Sequence, residues 1–205
     1  MSSEFTLSGA VVSLPVAPLD DHVGVVEVLI QEGFRRFALP AVSEDLAGVI
    51  GIFGSRADFG VSRVTAADQA ATVVAAGARF ALADLPEAAV AEAFASSGIP
   101  CYGSAMTPTE VRAVLRLPFT GVLIYPADVV GHAFAQRLAE LSLVTRCVPM
   151  GGLGAYAMGE WFKVGAPAAC LDATLLGDAY QAGSLSALRD RTGAFIAAEQ
   201  KLQVG

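Results

Sequence analysis

Residues 77–127 read GARFALADLPEAAVAEAFASSGIPCYGSAMTPTEVRAVLRLPFTGVLIYPA. One unit is used twice in this stretch and then begun again. Each unit opens with a short apolar run, at residues 79–83, 100–102 and 121–125. The first two runs lead into stretches whose apolar residues recur at three- and four-residue spacing, as in Val90, Ala93 and Phe94 or Val111, Val114 and Leu115. Near-continuous apolar runs alternating with amphipathic helices are the pattern of parallel strands covered by crossover helices. One helix start is explicit. Thr107-Pro108-Thr109-Glu110 places Thr at the N-cap, Pro at the first helical position and Glu at the third, which makes a capping box.

The same alternation extends in both directions. Upstream, strands are predicted at 11–16, 36–40 and 59–64. The helices between them are opened by Asp20 or Asp21, by Ser43 and by Thr65-x-x-Asp68, and they close near Gly33, Phe53 and Gly77. Downstream, the pattern predicts a helix over 128–141, a strand at 146–150, a helix over 156–164 stopped by Gly165 and a strand at 168–172. A final helix runs from Ser184 or Ser186 to about Lys201. Residues 1–9 read as a loose N-terminal arm and residues 10–205 as a single domain. Eight strand–helix units in 205 residues predict a compact (β/α)8 TIM barrel. A doubly wound open sheet uses the same alternation, but the chain has no G-x-G-x-x-G and no P-loop to recommend a nucleotide fold.

Composition narrows the partners. The chain is 54% hydrophobic with a mean hydropathy of +0.56, enough for a large core and an oligomer interface on Ala-rich helix faces. A net charge of -7 and a pI near 4.7 argue against nucleic acid and anionic membranes. The longest uncharged run, residues 5–19, is too short to span a bilayer, and it follows Glu4 rather than a basic region. Cys101, Cys147 and Cys170 are odd in number and each sits in an apolar run, which fits buried free thiols in a reducing cytoplasm.

Several ordered motifs together resemble the 2-keto-3-deoxy-6-phosphogluconate (KDPG) and 4-hydroxy-2-oxoglutarate aldolase family. They are G-x-x-x-V-T-x-x-x-Q-A at 60–70, A-G-A-x-F at 76–80 and G-I-P followed by T-P-T-E within 98–110. V-x-x-Y-P-A at 122–127, V-P-x-G-G at 148–152 and E-W-F-K-V-G-A at 160–166 complete the set. The similarity runs from about Val11 to the last helix. It implies a class I aldolase-like barrel, assembled as a homotrimer, that makes or breaks a carbon–carbon bond next to pyruvate.

The resemblance also shows what has changed. The family's Schiff-base lysine lies on the sixth strand in a K-F-F-P-A-like motif, and aligning Pro126 and Ala127 puts Leu123 in its place. Leucine forms no imine, and the two lysines of the chain, Lys163 and Lys201, fall on the outer helices. The family's glutamate after the second strand is matched, one or two residues displaced, by Glu44. Its G-A-G-T becomes Gly60-Val61-Ser62-Arg63 and its S-P becomes Ala83-Asp84. Its phosphate-binding T-G-G and G-S become Met150-Gly151-Gly152 and Asp172-Ala173. Gly151 and Gly152 retain backbone N–H groups, but a carboxylate at Asp172 repels a phosphate dianion, so the expected substrate is not phosphorylated.

Functional residues of a barrel lie at the C-terminal ends of its strands. Here these are Glu44, Arg63, Asp84, Tyr102, Ser104, Tyr125 and Asp172. Arg63 suits the carboxylate of a small 2-oxo acid, with Asp84, Ser104, Gly151 and Gly152 completing the binding set. Glu44, Tyr125 and Asp172 are the candidate acid–base groups. Glu44, Asp84 and Asp172 are also the candidate ligands for a divalent metal (Mg or Mn) that would stabilise an enolate. Blander roles compete with each of these. Arg63 can form a buried ion pair with Asp84 or Asp172, Glu44 can favour a helix start, Tyr125 can pack in the barrel, and His22 and His132 read as surface or capping residues. The expected function is therefore an aldolase-like lyase without an imine. The alternative is a catalytically inactive barrel that binds a small ligand or serves as an assembly partner.

Overall fold

Alternate side chains of a strand point to opposite faces, so a barrel of short apolar strands carries two cores, one inside the sheet and one outside it. The computed structural model, which describes residues 5–181 and 185–203, has both. Its eight strands are β1 (Gly9–Ser13), β2 (Arg36–Pro40), β3 (Asp58–Val64), β4 (Ala81–Ala83), β5 (Cys101–Ala105), β6 (Gly121–Ile124), β7 (Cys147–Pro149) and β8 (Ala168–Leu171). Each pairs in parallel with its neighbours in sequence, β1 also pairs with β8, and a bridge between Met150 and Cys170 joins β7 to β8. The sheet is a nearly closed (β/α)8 barrel, as the alternation predicts.

The inner core stacks Val11, Ala38, Leu82, Tyr102, Leu123 and Val148, all buried. Phe80, just before β4, fills the space that Gly60 of β3 leaves open: a Cβ on Gly60 would lie 2.5 Å from the Phe80 ring. The segment expected to be a loose arm is a plug in its described part. Leu7 is fully buried in the inner core, and Phe5 stacks on Phe80 with ring centroids 5.8 Å apart. Its apolar residues find the barrel's open bottom, which no local pattern announces.

The outer core lies between the sheet and its helices. These are α1 (Leu19–Gln31), α2 (Leu46–Phe53), α3 (Gln69–Ala75), α4 (Ala88–Ser96), α5 (Pro108–Val114), α6 (Ala127–Val130), α7 (Ala133–Glu140), α8 (Ala155–Lys163), α9 (Ala173–Leu176) and α10 (Leu185–Gln203). The capping box at α5 is formed in full, with the Glu110 N–H donating to the Thr107 side chain and the Glu110 carboxylate accepting the Thr107 N–H. Other expected boundaries differ. The helix predicted over 128–141 is two helices, broken where Gly131 adopts φ 73°. The start of α3 is held by Gln69, whose side chain accepts the Thr65 and Ala66 N–H groups, rather than by a Thr65 cap. Helix α2 begins after Asp45, two residues beyond the expected Ser43 cap. Ser184 lies outside the described residues.

The three cysteines are free and buried, and burial pushes the Cys101 and Cys147 thiols up to about 12. His22, expected at the surface, is fully buried because the chain after β8 folds over α1. Its Nδ1 is 2.8 Å from the Tyr180 hydroxyl, and its Nε2 is buried without a partner. Burial lowers its pKa below the ordinary 6.5, only partly opposed by Asp45 and Asp21. As pH falls below about 6.5 the unfolded chain takes up a proton that folded His22 resists, so stability is lost until the folded pKa is passed. Denaturant melts between pH 7.5 and 5 should show this fall, and His22→Gln should flatten it. An unchanged slope in the variant would assign the pH dependence elsewhere.

Candidate active site at the strand C-termini

Four of the expected residues form one network at the C-terminal end of β3 to β6. Its centre is Arg63. The pairing of β3 with β4 shifts register between Val61 and Val64, and within this irregularity Arg63 takes φ 59°, the left-handed region that a branched or long side chain seldom occupies. Such a conformation costs on the order of 1 kcal/mol or more and is kept where the surroundings hold it. Here the guanidinium donates from Nη1 to Asp84 Oδ2 at 3.3 Å and from Nη2 to the Tyr125 hydroxyl at 3.2 Å. Its carbon stands 4.7 Å from the centre of the Tyr125 ring, a cation–π contact. Ser104 donates its hydroxyl to the Asp84 carbonyl at 2.6 Å and anchors that loop to β5. Partial burial works against the guanidinium charge, but the Tyr125 hydroxyl and the Asp84 carboxylate outweigh it and hold the group above its ordinary value.

The Arg63–Asp84 pair is open to solvent, with side chains 41% and 29% exposed. It is therefore not the buried structural bridge that was the competing expectation, and Asp172 is not its partner. Asp172 is engaged across the mouth, where its Oδ2 accepts the Gly152 N–H at 3.1 Å while Oδ1 is buried without a partner. Gly151 and Gly152 have φ of 102° and 65°, and a Cβ on Gly152 would lie 2.5 Å from Asp128 Oδ2. An anion-cradling turn is thus present, but it already holds a carboxylate of the chain and has a second one, Asp128, against it. Sequence reading placed Asp128 only at a helix start. The signal for its place beside the turn was its position in the first turn of α6, after Pro126.

Glu44 does not join either group. It is exposed in the turn before α2, with no side-chain hydrogen bond or ion pair among the described residues. Among the described residues no three His, Cys, Asp or Glu side chains converge as a metal site, so Glu44, Asp84 and Asp172 do not form the metal set expected of them. Leu123 and Met150 belong to the inner core, Leu123 fully buried and Met150 3% exposed. Lys163 is on α8, ion-paired with Glu160 on the outside of the barrel, and the side chain of Lys201 lies outside the described residues.

The fold is a (β/α)8 barrel with a polar network at the C-terminal ends of its strands. The family model for KDPG and KHG aldolases matches residues 3–188, and the chain belongs to that family. No curated protein sequence matches significantly. Among solved structures, a native KDPGal structure superimposes with a TM-score of 0.84 at 18% identity, covering 98% of each chain. A 4-hydroxy-2-oxoglutarate aldolase/2-deydro-3-deoxyphosphogluconate aldolase from TTHB1 gives 0.78 at 24% identity, covering 92% of this chain and 93% of its own. The Legionella pneumophila KDPG aldolase, in which pyruvate was captured as a covalent carbinolamine, gives 0.71 at 19% identity, covering 97% and 94%.

Proposed function

We propose that this chain is an aldolase-like carbon–carbon lyase acting on a small, non-phosphorylated 2-oxo acid without a Schiff base. The observation that carries the reading is Arg63, held in a left-handed backbone conformation with its guanidinium at the mouth of an aldolase-family barrel. A guanidinium half open to solvent is suited to a carboxylate, and the pyruvate captured in the Legionella enzyme supports a 2-oxo acid. Leu123 occupies the position that the resemblance assigns to the imine-forming lysine. Asp172 accepts the Gly152 N–H, and it stands at the turn to which the resemblance assigns the phosphate, which supports a substrate without one.

In this reading Arg63 binds the substrate carboxylate. The Tyr125 hydroxyl accepts from Arg63, so its own hydrogen is free to donate to the C2 carbonyl oxygen. The Asp84 carboxylate takes the proton of the C4 hydroxyl. The C3–C4 bond then breaks, its electron pair moves through C3 to the C2 oxygen, and Tyr125 and Arg63 stabilise the enolate. Protonation at C3 releases pyruvate and an aldehyde. A homotrimer and a cytoplasmic setting belong to the same reading.

Proton NMR of pyruvate with the protein in deuterated buffer tests it. The methyl signal is expected to decay, and borohydride added with pyruvate is expected to leave the protein mass unchanged. A trapped adduct would overturn the imine-free route, and loss of exchange on adding EDTA would transfer the enolate's charge to a metal ion. Absence of exchange would favour the second reading, a ligand-binding barrel without turnover, for which the buried Leu123 and Met150 speak.

A further inference from the structure

Beside the polar network a cavity of about 370 Å³ opens against α5. Ser104 and Tyr125 stand at its throat, and Pro86, Met106, Ala113, Val114 and Leu117 form its body. The carboxylate in the wall is that of Glu110. Its carboxylate accepts the Met106 and Thr107 N–H groups, both at 2.8 Å, so its charge is spent on the helix start rather than offered to a ligand. Pockets of this size, apolar in the body and polar at one end, bind molecules with the same division. Met106, 38% exposed at the rim, is an adaptable side chain suited to ligands of varied shape.

We propose that this cavity receives an apolar side group of the substrate, so that the preferred ligand is a 2-oxo acid with an aliphatic or aromatic tail rather than pyruvate alone. The inference rests on the reading of Arg63 as the carboxylate anchor, because the throat residue Tyr125 is hydrogen-bonded to Arg63. A ligand whose head lies at Arg63 has its carbonyl beside Tyr125 and its C3 substituent directed between Ser104 and Met106. Across the mouth, the Gly152 turn is closed by Asp172, which leaves the α5 side as the direction in which a tail can extend.

Two homologous series separate the pocket from the anchor. Dissociation constants are measured by saturation-transfer NMR for pyruvate through 2-oxohexanoate, and for 1-propanol through 1-hexanol, which carry no carboxylate. Each methylene taken into the cavity should tighten binding about fourfold, so 2-oxohexanoate should bind roughly fiftyfold more tightly than pyruvate. Ala113→Phe, at an exposed position of α5 that lines the cavity, should reduce that ratio to a few-fold in a protein that melts normally. Met106→Ala, which removes one wall, should reduce it by less. If acids bind without a length increment, or the increment survives Ala113→Phe, the pocket assignment is wrong while the Arg63 reading stands. If only the alcohols bind, with an increment that Ala113→Phe removes, the pocket is right and the anchor is wrong.

Discussion

Arg63→Ala is expected to slow pyruvate methyl exchange about 100-fold while leaving the melting temperature nearly unchanged. The two halves of this expectation have separate causes. The carboxylate loses the charged fork that holds it and the Tyr125 hydroxyl loses the group that orients it toward the carbonyl, and two decades correspond to about 2.7 kcal/mol of transition-state stabilisation. The stability change is small because the Arg63–Asp84 pair is solvent-accessible, and such pairs are worth about 0–1 kcal/mol. Removing a long side chain from φ 59° leaves a residue that still occupies the left-handed region, so no strain is relieved. Arg63→Lys keeps the charge but not the fork, and should retain about a tenth of the rate. A variant that loses several kcal/mol of stability with proportionate activity would return Arg63 to a structural role.

Phe80→Ala is expected to cost about 3–5 kcal/mol, the largest stability effect among single substitutions in the inner core. Phe80 is fully buried, stacks on Phe5 and lies over the missing side chain of Gly60. For a chain of this length that corresponds to a fall in melting temperature of roughly 10 °C. Gly60→Ala by itself is also expected to destabilise, since its Cβ would meet the Phe80 ring at 2.5 Å and overpacking costs about 1–3 kcal/mol. In the Phe80→Ala background that cost should vanish, because the added methyl enters the space the ring vacates. A double-mutant cycle measures the coupling directly. Costs that simply add would contradict the packing of the ring against β3.

The strands and most helices were legible from local chemistry. Strand β2 coincides with its predicted span, and the α5 capping box is spelled by four consecutive residues whose bonds lie within one helical turn. Local pattern failed where the partner is distant in sequence. His22 reads as a surface histidine until the chain near Tyr180 covers it, and residues 5–8 read as an arm until the barrel supplies an apolar bottom. Gly131 split a helix that periodicity alone runs through.

The site divides in the same way. Periodicity was enough for a (β/α)8 barrel and for a mouth bearing Arg63, Asp84, Ser104, Tyr125 and Asp172, because these follow from residue identity and register along single strands, while the aldolase family came from the resemblance of its ordered motifs. Which of them meet depends on how far each loop reaches once the sheet is closed, and that is a property of eight strands at once. Closure places Asp84 and Tyr125 on the Arg63 guanidinium and sends Asp172 to Gly152, with Glu44 left in solvent. The register shift in β3 that aims Arg63 at its partners is a compromise between two strands, written in neither of them alone.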